Sequence, residues 1–469
     1  MLKHILYSII AGCVVLSSCG AGGKRTAQEE TANLQSDSVF IASYPFVNTA
    51  ADTLFDPADN LSSFYAKLRR LDTLRLVCGD GSTTDATTGR GGGIDAAKRD
   101  SLRQALLRQD GTDEDEEGGD GVLRVNILHF GDSHIQGGVI PDVIMRHLHK
   151  RFGNAGRGMV VPHKLSGSNE PRDYAIQGLP GCCGEWSVSR VVNARPSLPI
   201  GISGVSVQSS TADNRLMLCT LRTSDSLDYS FNKVRVFHGK YAPIIEADER
   251  LSAGLSAPDI IYDFNTDIEL VTRVDTLELH TYADDKFARG PIYGFSLENG
   301  QDGVLYHAMG VNSACYLHWG KQEEVIRQST ALAPDLIVLS MGSNEAAGDH
   351  FHDDVFYREV DRFVRPLRQA NPGTAILLTS PAQAFRNGRP NPNFENISRT
   401  LRRYAEEQGV AFIDLYGATG GAESAVEWDD HRLMARDRIH YTAEGYRIQG
   451  LLIYNALYNG YIGHGPTVQ

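Results

Sequence analysis

Four short runs limit what this chain can fold into: VNILHF (125–130), DLIVLS (335–340), TAILLTS (374–380) and VAFIDL (410–415) are almost unbroken apolar stretches. A strand with one wet face alternates in polarity, so continuous runs of this length must be covered on both faces, as in a parallel sheet layered between helices. Helical patterns lie between and beyond them. One passes through Val139, Val143, Leu148 and Phe152, and others fall at about 321–332, 353–370, 395–408 and 442–458. This alternation predicts an α/β fold with a doubly wound sheet. The first strand is separated from the second by some 200 residues, and residues 164–300 read differently. There GVSVQSS, RLMLCTL, KVRVFHG, DIIYDF and TLELHTY stand between polar turns, the spacing of an all-β sandwich or jelly roll. In KVRVF the valines alternate with Lys233 and Arg235, as on a sheet with one dry face. The expectation is a discontinuous α/β domain, 124–163 and 301–460, split by an inserted β-rich domain at 164–300.

With 469 residues the chain exceeds one core, so two domains plus tails is the expected organisation. It opens MLKHILYSIIAGCVVLSSCG: one Lys, an apolar run too short to span a bilayer, then small residues ending at Cys19. That pattern predicts a secretory signal over 1–18 rather than a membrane-spanning helix. Small polar residues over 19–37 suit a flexible tether. Residues 38–123 read as a helical extension, with Phe64, Leu68 and Leu71 on one face behind a serine cap. Its Gly-rich and acidic stretches, 79–93 and 110–121, are expected to be flexible. A net charge of −13, from 45 Lys+Arg against 58 Asp+Glu, argues against nucleic acid, since phosphate binding needs a positive field. Beyond Cys19 the cysteines are Cys78, Cys182, Cys183, Cys219 and Cys315. An odd number with one adjacent pair and no C-x-x-C predicts structural thiols, at most one bridge, and no zinc site.

Four small motifs follow in order: GDSH (131–134), GVNSA (310–314), GSNEA (342–346) and DRIH (437–440). The first and third directly follow apolar strands, and ligand sites of open α/β sheets lie at the carboxyl ends of strands. No G-x-S-x-G elbow occurs, which disfavours an α/β-hydrolase. The ordered set resembles the SGNH (GDSL-type) hydrolase family. The resemblance implies Ser133 as nucleophile, His440 as base and Asp437 as the acid of a triad, with the Ser133 and Gly310 backbone N–H groups and the Asn344 amide as oxyanion donors. Each role has a chemical reason. A serine hydroxyl attacks poorly until an imidazole takes its proton. A carboxylate three residues before the histidine can fix its tautomer. Losing one oxyanion donor typically costs about 3 kcal/mol of transition-state stabilisation. Glycine at 310, lacking a Cβ, would let the backbone approach the substrate closely.

His134 after GDS, Glu345 after Asn344 and the G-x-N-x-A block resemble the peptidoglycan O-acetylesterase branch, in which a carbohydrate-binding-module-like β domain lies between the first two motifs. FGNAGRG (152–158), the stretch around Trp186 and PIYGFSLENG (291–300) are similar to secreted lipoprotein members. Leu16-Ser17-Ser18-Cys19 resembles a lipobox, implying acylation of Cys19 and a lipid anchor in the bacterial cell envelope. The resemblance covers about 124–458. The branch usually has glycine where this chain has Ser313, a departure that bears on substrate preference.

These features together imply a secreted serine esterase that removes acetyl groups from a polysaccharide, peptidoglycan first, through an acetyl-enzyme and without metal or organic cofactor. Acetylated plant or host glycans are the alternative substrates, and a non-catalytic glycan-binding surface lipoprotein is the alternative class. DHFHDD (349–354) has histidines at i and i+2, on different sides of a helix, so Asp353 or Asp354 is expected as a helix cap. HLHK (147–150) is expected on the solvated face of its helix. Trp186 and Trp319 are read as core.

Overall fold

The computed structural model describes residues 37–464, apart from 38, 50–52, 79–100, 102–103, 107–120, 180–183, 222–226, 249–250, 256–263, 284–289 and 349–350. The signal at 1–18, Cys19, all but the last residue of the tether, both Gly-rich and acidic stretches except Gly121, Cys182 and Cys183, and most of DIIYDF lie outside the described residues.

The central sheet has six strands: β1 (Leu54–Phe55), β2 (Arg124–Gly131), β3 (Gly303–Gly310), β4 (Leu336–Ser340), β5 (Ala375–Thr379) and β6 (Ala411–Ile413). Their order is β1-β6-β5-β4-β2-β3, parallel throughout except for β1, which runs antiparallel to β6. The four apolar runs are β2, β4, β5 and β6, and Ile127, Leu128, Leu336, Ile337, Leu377 and Phe412 are all buried. The sheet has two more strands than the sequence reading assigned, at its two edges. From β2 the chain passes first to β3 on one side and later to β4 on the other, so the strand order switches at β2. Crevices open at such switch points, beyond the carboxyl ends of the strands.

Helices α1 (Ser62–Cys78), α2 (Ser133–Gln136), α3 (Val139–Phe152), α4 (Tyr316–Trp319), α5 (Ser343–Ala346), α6 (Asp353–Ala370), α7 (Asn393–Gln408) and α8 (Ala443–Gly463) surround or follow the strands of this sheet. Helix α1 buries Phe64, Leu68 and Leu71 on the expected face. Just before its first residue, the Asp56 carboxylate accepts the N–H groups of Asn60 and Leu61 at 2.9 and 2.8 Å. The segment docks on the sheet. Asn60 donates to the Ile376 carbonyl at 2.9 Å, Lys67 pairs with Asp335 at 2.7 Å, and β1 covers the β6 edge that would otherwise present unpaired backbone groups.

Between α3 and β3 the described residues form a seven-stranded and a four-stranded sheet, with antiparallel pairing in both. The β-rich region begins before residue 164: strand Gly158–Val160 already pairs with Ile292–Glu298 in the larger sheet. The glycines of FGNAGRG explain how it gets there. A Cβ on Gly156 would lie 2.4 Å from the Leu297 carbonyl oxygen, one on Gly158 would lie 2.2 Å from that of Tyr306, and both have positive φ. In Phe231–His238, Val234 and Val236 are buried while Lys233 and Arg235 pair with Asp267.

Two local expectations are corrected. His149 of HLHK is buried, with Nδ1 3.3 Å from the Tyr229 hydroxyl, because the β-rich region covers the side of α3 that an isolated helix would show to water. Helix α6 is preceded by His352 as N-cap, and Asp353 and Asp354 lie inside the first turn, where they pair with Arg399 and Arg403 of α7. Acids in a first turn favour the helix dipole without capping it. Trp319 is core, donating to the Gly131 carbonyl at 3.3 Å, whereas Trp186 is only half-buried. Among the described residues no helix is long and apolar enough to cross a membrane.

Candidate active site

Ser133 is the first residue of α2, immediately past the carboxyl end of β2. The turn into α2 is tight: a Cβ on Gly131 would lie 2.2 Å from Ile135 Cγ1. Asp132 caps it, its Oδ1 accepting the His134 N–H at 2.9 Å. Burial pushes the Asp132 carboxyl up to about 7, against the pull of that hydrogen bond and of His440.

His440 arrives from the loop before α8. Its Nε2 lies 2.9 Å from Ser133 Oγ and its Nδ1 2.7 Å from Asp437 Oδ2. The other oxygen, Asp437 Oδ1, accepts the N–H groups of Ile439 and His440, both at 2.9 Å. A three-residue spacing can close this loop because Arg438, between them, takes a positive φ of 57°. Burial raises the Asp437 carboxyl, but the His440 ring and the two N–H donors outweigh it and bring the group down to about 2. The His440 and Asp437 side chains are 38% and 49% exposed, so the pair opens to solvent. His134, identified in the sequence only as part of a motif, stands beside them: its ring centroid is 5.3 Å from that of His440 and its Nδ1 is 3.0 Å from the Tyr446 hydroxyl. Burial, then the nearby His440, lowers it to about 3, so a neutral ring flanks the pair.

The second motif forms the turn 311–316 after β3. Gly310 pairs with Gly131 across the sheet, and a Cβ on it would lie 2.1 Å from the Gln136 backbone nitrogen. Contact with α2 therefore demands glycine here, a different reason from the close approach to substrate that the sequence suggested. Five of the six backbone N–H groups of the turn have acceptors. Val311 N–H donates to Gly131 O, Asn312 N–H to Gln136 Oε1, Ala314 N–H to Val311 O, Cys315 N–H to His318 Nδ1 and Tyr316 N–H to Glu345 Oε1. Ser313 N–H meets no partner among the described residues, and Ser313 is exposed with a φ of 67°. That donor, which the sequence reading did not select, is the turn's free one. Asn344, on α5 just past β4, donates through Nδ2 to the Ala314 carbonyl at 2.9 Å, leaving its second amide hydrogen available.

A polar line runs through the sheet beneath the site. The Tyr306 hydroxyl is 2.6 Å from His129 Nδ1, His129 Nε2 is 2.7 Å from Ser340 Oγ, and Thr379 Oγ1 donates to Ser340 at 2.8 Å. These residues lie on the neighbouring strands β3, β2, β4 and β5; the only sign in the sequence was a histidine inside VNILHF. A cleft of about 300 Å³ opens beside the Asp437–His440 loop, bounded by Ser343, Phe385, Asn387, Phe394, Asp437 and Ile439.

Residues 283–448 match the GDSL-like Lipase/Acylhydrolase family. The match contains Gly310, Asn344, Asp437 and His440 and begins after Ser133, which the β-rich region separates from the rest. A solved structure of a peptidoglycan O-acetylesterase is similar at 19% identity, over 88% of this chain and 99% of that one, with a TM-score of 0.63. A lipase/acylhydrolase from Enterococcus faecalis aligns over 34% of this chain and 78% of its own at 18% identity, with a TM-score of 0.27. A GDSL-like lipase from Bacteroides thetaiotaomicron VPI-5482 aligns over 33% and 76% at 20% identity, also at 0.27. No curated protein matches the chain. Residues 283–448 thus match the GDSL-like lipase/acylhydrolase family, and the chain resembles a peptidoglycan O-acetylesterase in fold.

Proposed function

We propose that this protein is a serine esterase that removes O-acetyl groups from an envelope polysaccharide, peptidoglycan first, and that a lipid on Cys19 holds it at the membrane. The observation that carries the reading is the relay Ser133 Oγ, His440 Nε2, His440 Nδ1, Asp437 Oδ2, with steps of 2.9 and 2.7 Å. Distances of this size put nucleophile and base within direct proton-transfer reach. In the reaction His440 takes the Ser133 proton as Oγ bonds to the acetyl carbon. Negative charge gathers on the carbonyl oxygen, within a set of donors drawn from the N–H groups of Ser133, Gly310 and Ser313 and the Asn344 amide. Collapse of the intermediate breaks the ester bond, and the sugar oxygen leaves with the proton from His440. Water, deprotonated by the same imidazole, then releases acetate and restores Ser133. Asp437 keeps Nδ1 protonated so that Nε2 faces the serine as an acceptor.

The cleft beside the Asp437–His440 loop gives the sugar a place to lie, and the branch resemblance favours peptidoglycan over plant or host polymers. Acetate release from a small acetyl ester by the purified protein tests the chemistry. Loss of at least about a thousandfold in kcat is expected for Ser133→Ala, and a fully active variant refutes the assignment. Acetate release from O-acetylated peptidoglycan compared with acetylated xylan tests the substrate. Metabolic labelling with a fatty acid, absent in Cys19→Ala, tests the anchor.

A further inference from the structure

Glu345 follows Asn344 on α5 and takes no part in the relay, yet its carboxyl occupies the space between α5 and the 311–316 turn. Oε1 accepts the Tyr316 N–H at 2.9 Å, where the turn enters α4, while Oε2 is enclosed by protein and meets no hydrogen-bond partner. On the same side, Asn344 Nδ2 holds the Ala314 carbonyl at 2.9 Å. The far end of the turn is anchored by Gln136 Oε1 on the Asn312 N–H at 2.7 Å. Ser313, the one position with a free N–H, lies between these anchors in a left-handed conformation that only its surroundings can maintain.

We propose that Glu345 is a positioning residue for ester hydrolysis: by binding Tyr316 N–H it locks the 311–316 turn to the helix carrying Asn344, and so sets the oxyanion donors of both at one distance from Ser133. The inference rests on the esterase reading above. The lock works through an uncharged carboxyl. Burial first, then Asp132 and Glu359, push Glu345 up to about 8, while the N–H groups of Tyr316 and of Glu345 itself pull it down. The titratable groups around it are Cys315 and Tyr316 from the turn, Asp132 from the β2 end and Glu359 from α6. The Cys315 thiol is raised by burial and then by Glu345, so it stays protonated. Below pH 8 the acid is neutral and fits. Above it, an enclosed anion between two further acids favours release of the turn, and turnover should fall.

The experiment is kcat and KM for a small acetyl ester from pH 6 to 10 in wild type, Glu345→Gln and Glu345→Ala, with thermal melts of each. Gln keeps the acceptor on Tyr316 N–H and removes the titration. It should hold kcat within about threefold at pH 7 and lose the fall near pH 8, whereas Ala should lose about tenfold to hundredfold in kcat with KM within about twofold. Wild-type kcat in Glu345→Ala, or an unchanged alkaline fall in Glu345→Gln, overturns the proposal. If Glu345→Ala does not fold, the Gln profile alone decides. A wild-type protein inactive on acetyl esters would instead count against the esterase reading, which separates the two failures.

Discussion

Replacing Asp437 by Asn should be more harmful than replacing it by Ala, and the reason lies in how the carboxylate is used. Oδ2 faces His440 Nδ1 at 2.7 Å, while Oδ1 accepts two backbone N–H groups at 2.9 Å each. A carboxylate satisfies both sides because both of its oxygens accept; an amide has only one acceptor. If Asn turns its oxygen to the backbone, it keeps two hydrogen bonds worth about 1 kcal/mol each and aims its NH2 at Nδ1. That contact selects the imidazole tautomer protonated at Nε2, which cannot accept the Ser133 proton. Turning the amide over sacrifices both backbone bonds and sets donor against donor, a preference of at least about 2 kcal/mol for the wrong orientation. The expected loss in kcat for Asp437→Asn is therefore about 10³- to 10⁴-fold, the scale of a wrong tautomer. Asp437→Ala frees the ring, and at an open site water can serve Nδ1, so a smaller loss than for Asn is expected. The assay is kcat and KM on a small acetyl ester at pH 6 to 9, with melting curves to verify folding. An Asn variant as active as the Ala variant would refute the reasoning.

Asn344→Ala should cost about 10²- to 10³-fold in kcat with KM little changed, since the amide is needed most when charge develops on the substrate oxygen; a change in KM alone would remove Asn344 from the donor set. Leu68→Ala should destabilise the protein by about 2 to 5 kcal/mol in urea unfolding, because this buried α1 side chain joins the N-terminal segment to the main core; a loss under about 1 kcal/mol would mark α1 as an appendage. Asp437, held at about 2 when folded against an ordinary value near 3.9, contributes stability that is present above about pH 4 and lost as pH falls through 2. Asp437→Ala should therefore narrow the stability gap to wild type as pH drops from 5 to 2, a small effect at so open a site, and a gap that widens would contradict it.

Much of the fold was legible because burial on both faces leaves an unbroken apolar run, as in β2, β4, β5 and β6. Strand β3 escaped notice because His307 interrupts its run, although that ring is buried. Tertiary covering hid it, as it hid the burial of His149 behind Tyr229. At the site, Ser133, Asp437, His440 and Asn344 were recognisable as motif members. The donor at Ser313 was not, since whether an N–H is free depends on every neighbour of its turn.

Local chemistry belonged to the sequence. Asp437 and His440 lie three residues apart, so one short turn with a left-handed Arg438 suffices to join them. Where glycine occurs at 131, 156 and 158, the crowding that requires it could be suspected but not assigned. The tertiary structure alone decided that Ser133 meets His440 across 307 residues, that the β-rich region comes between them in the chain without parting them in space, and that Glu345 is shut away beside the 311–316 turn. The physical reason is that a residue's type fixes which bonds it can make, whereas desolvation and the occupancy of each donor are set by atoms distant in the chain that only folding brings near.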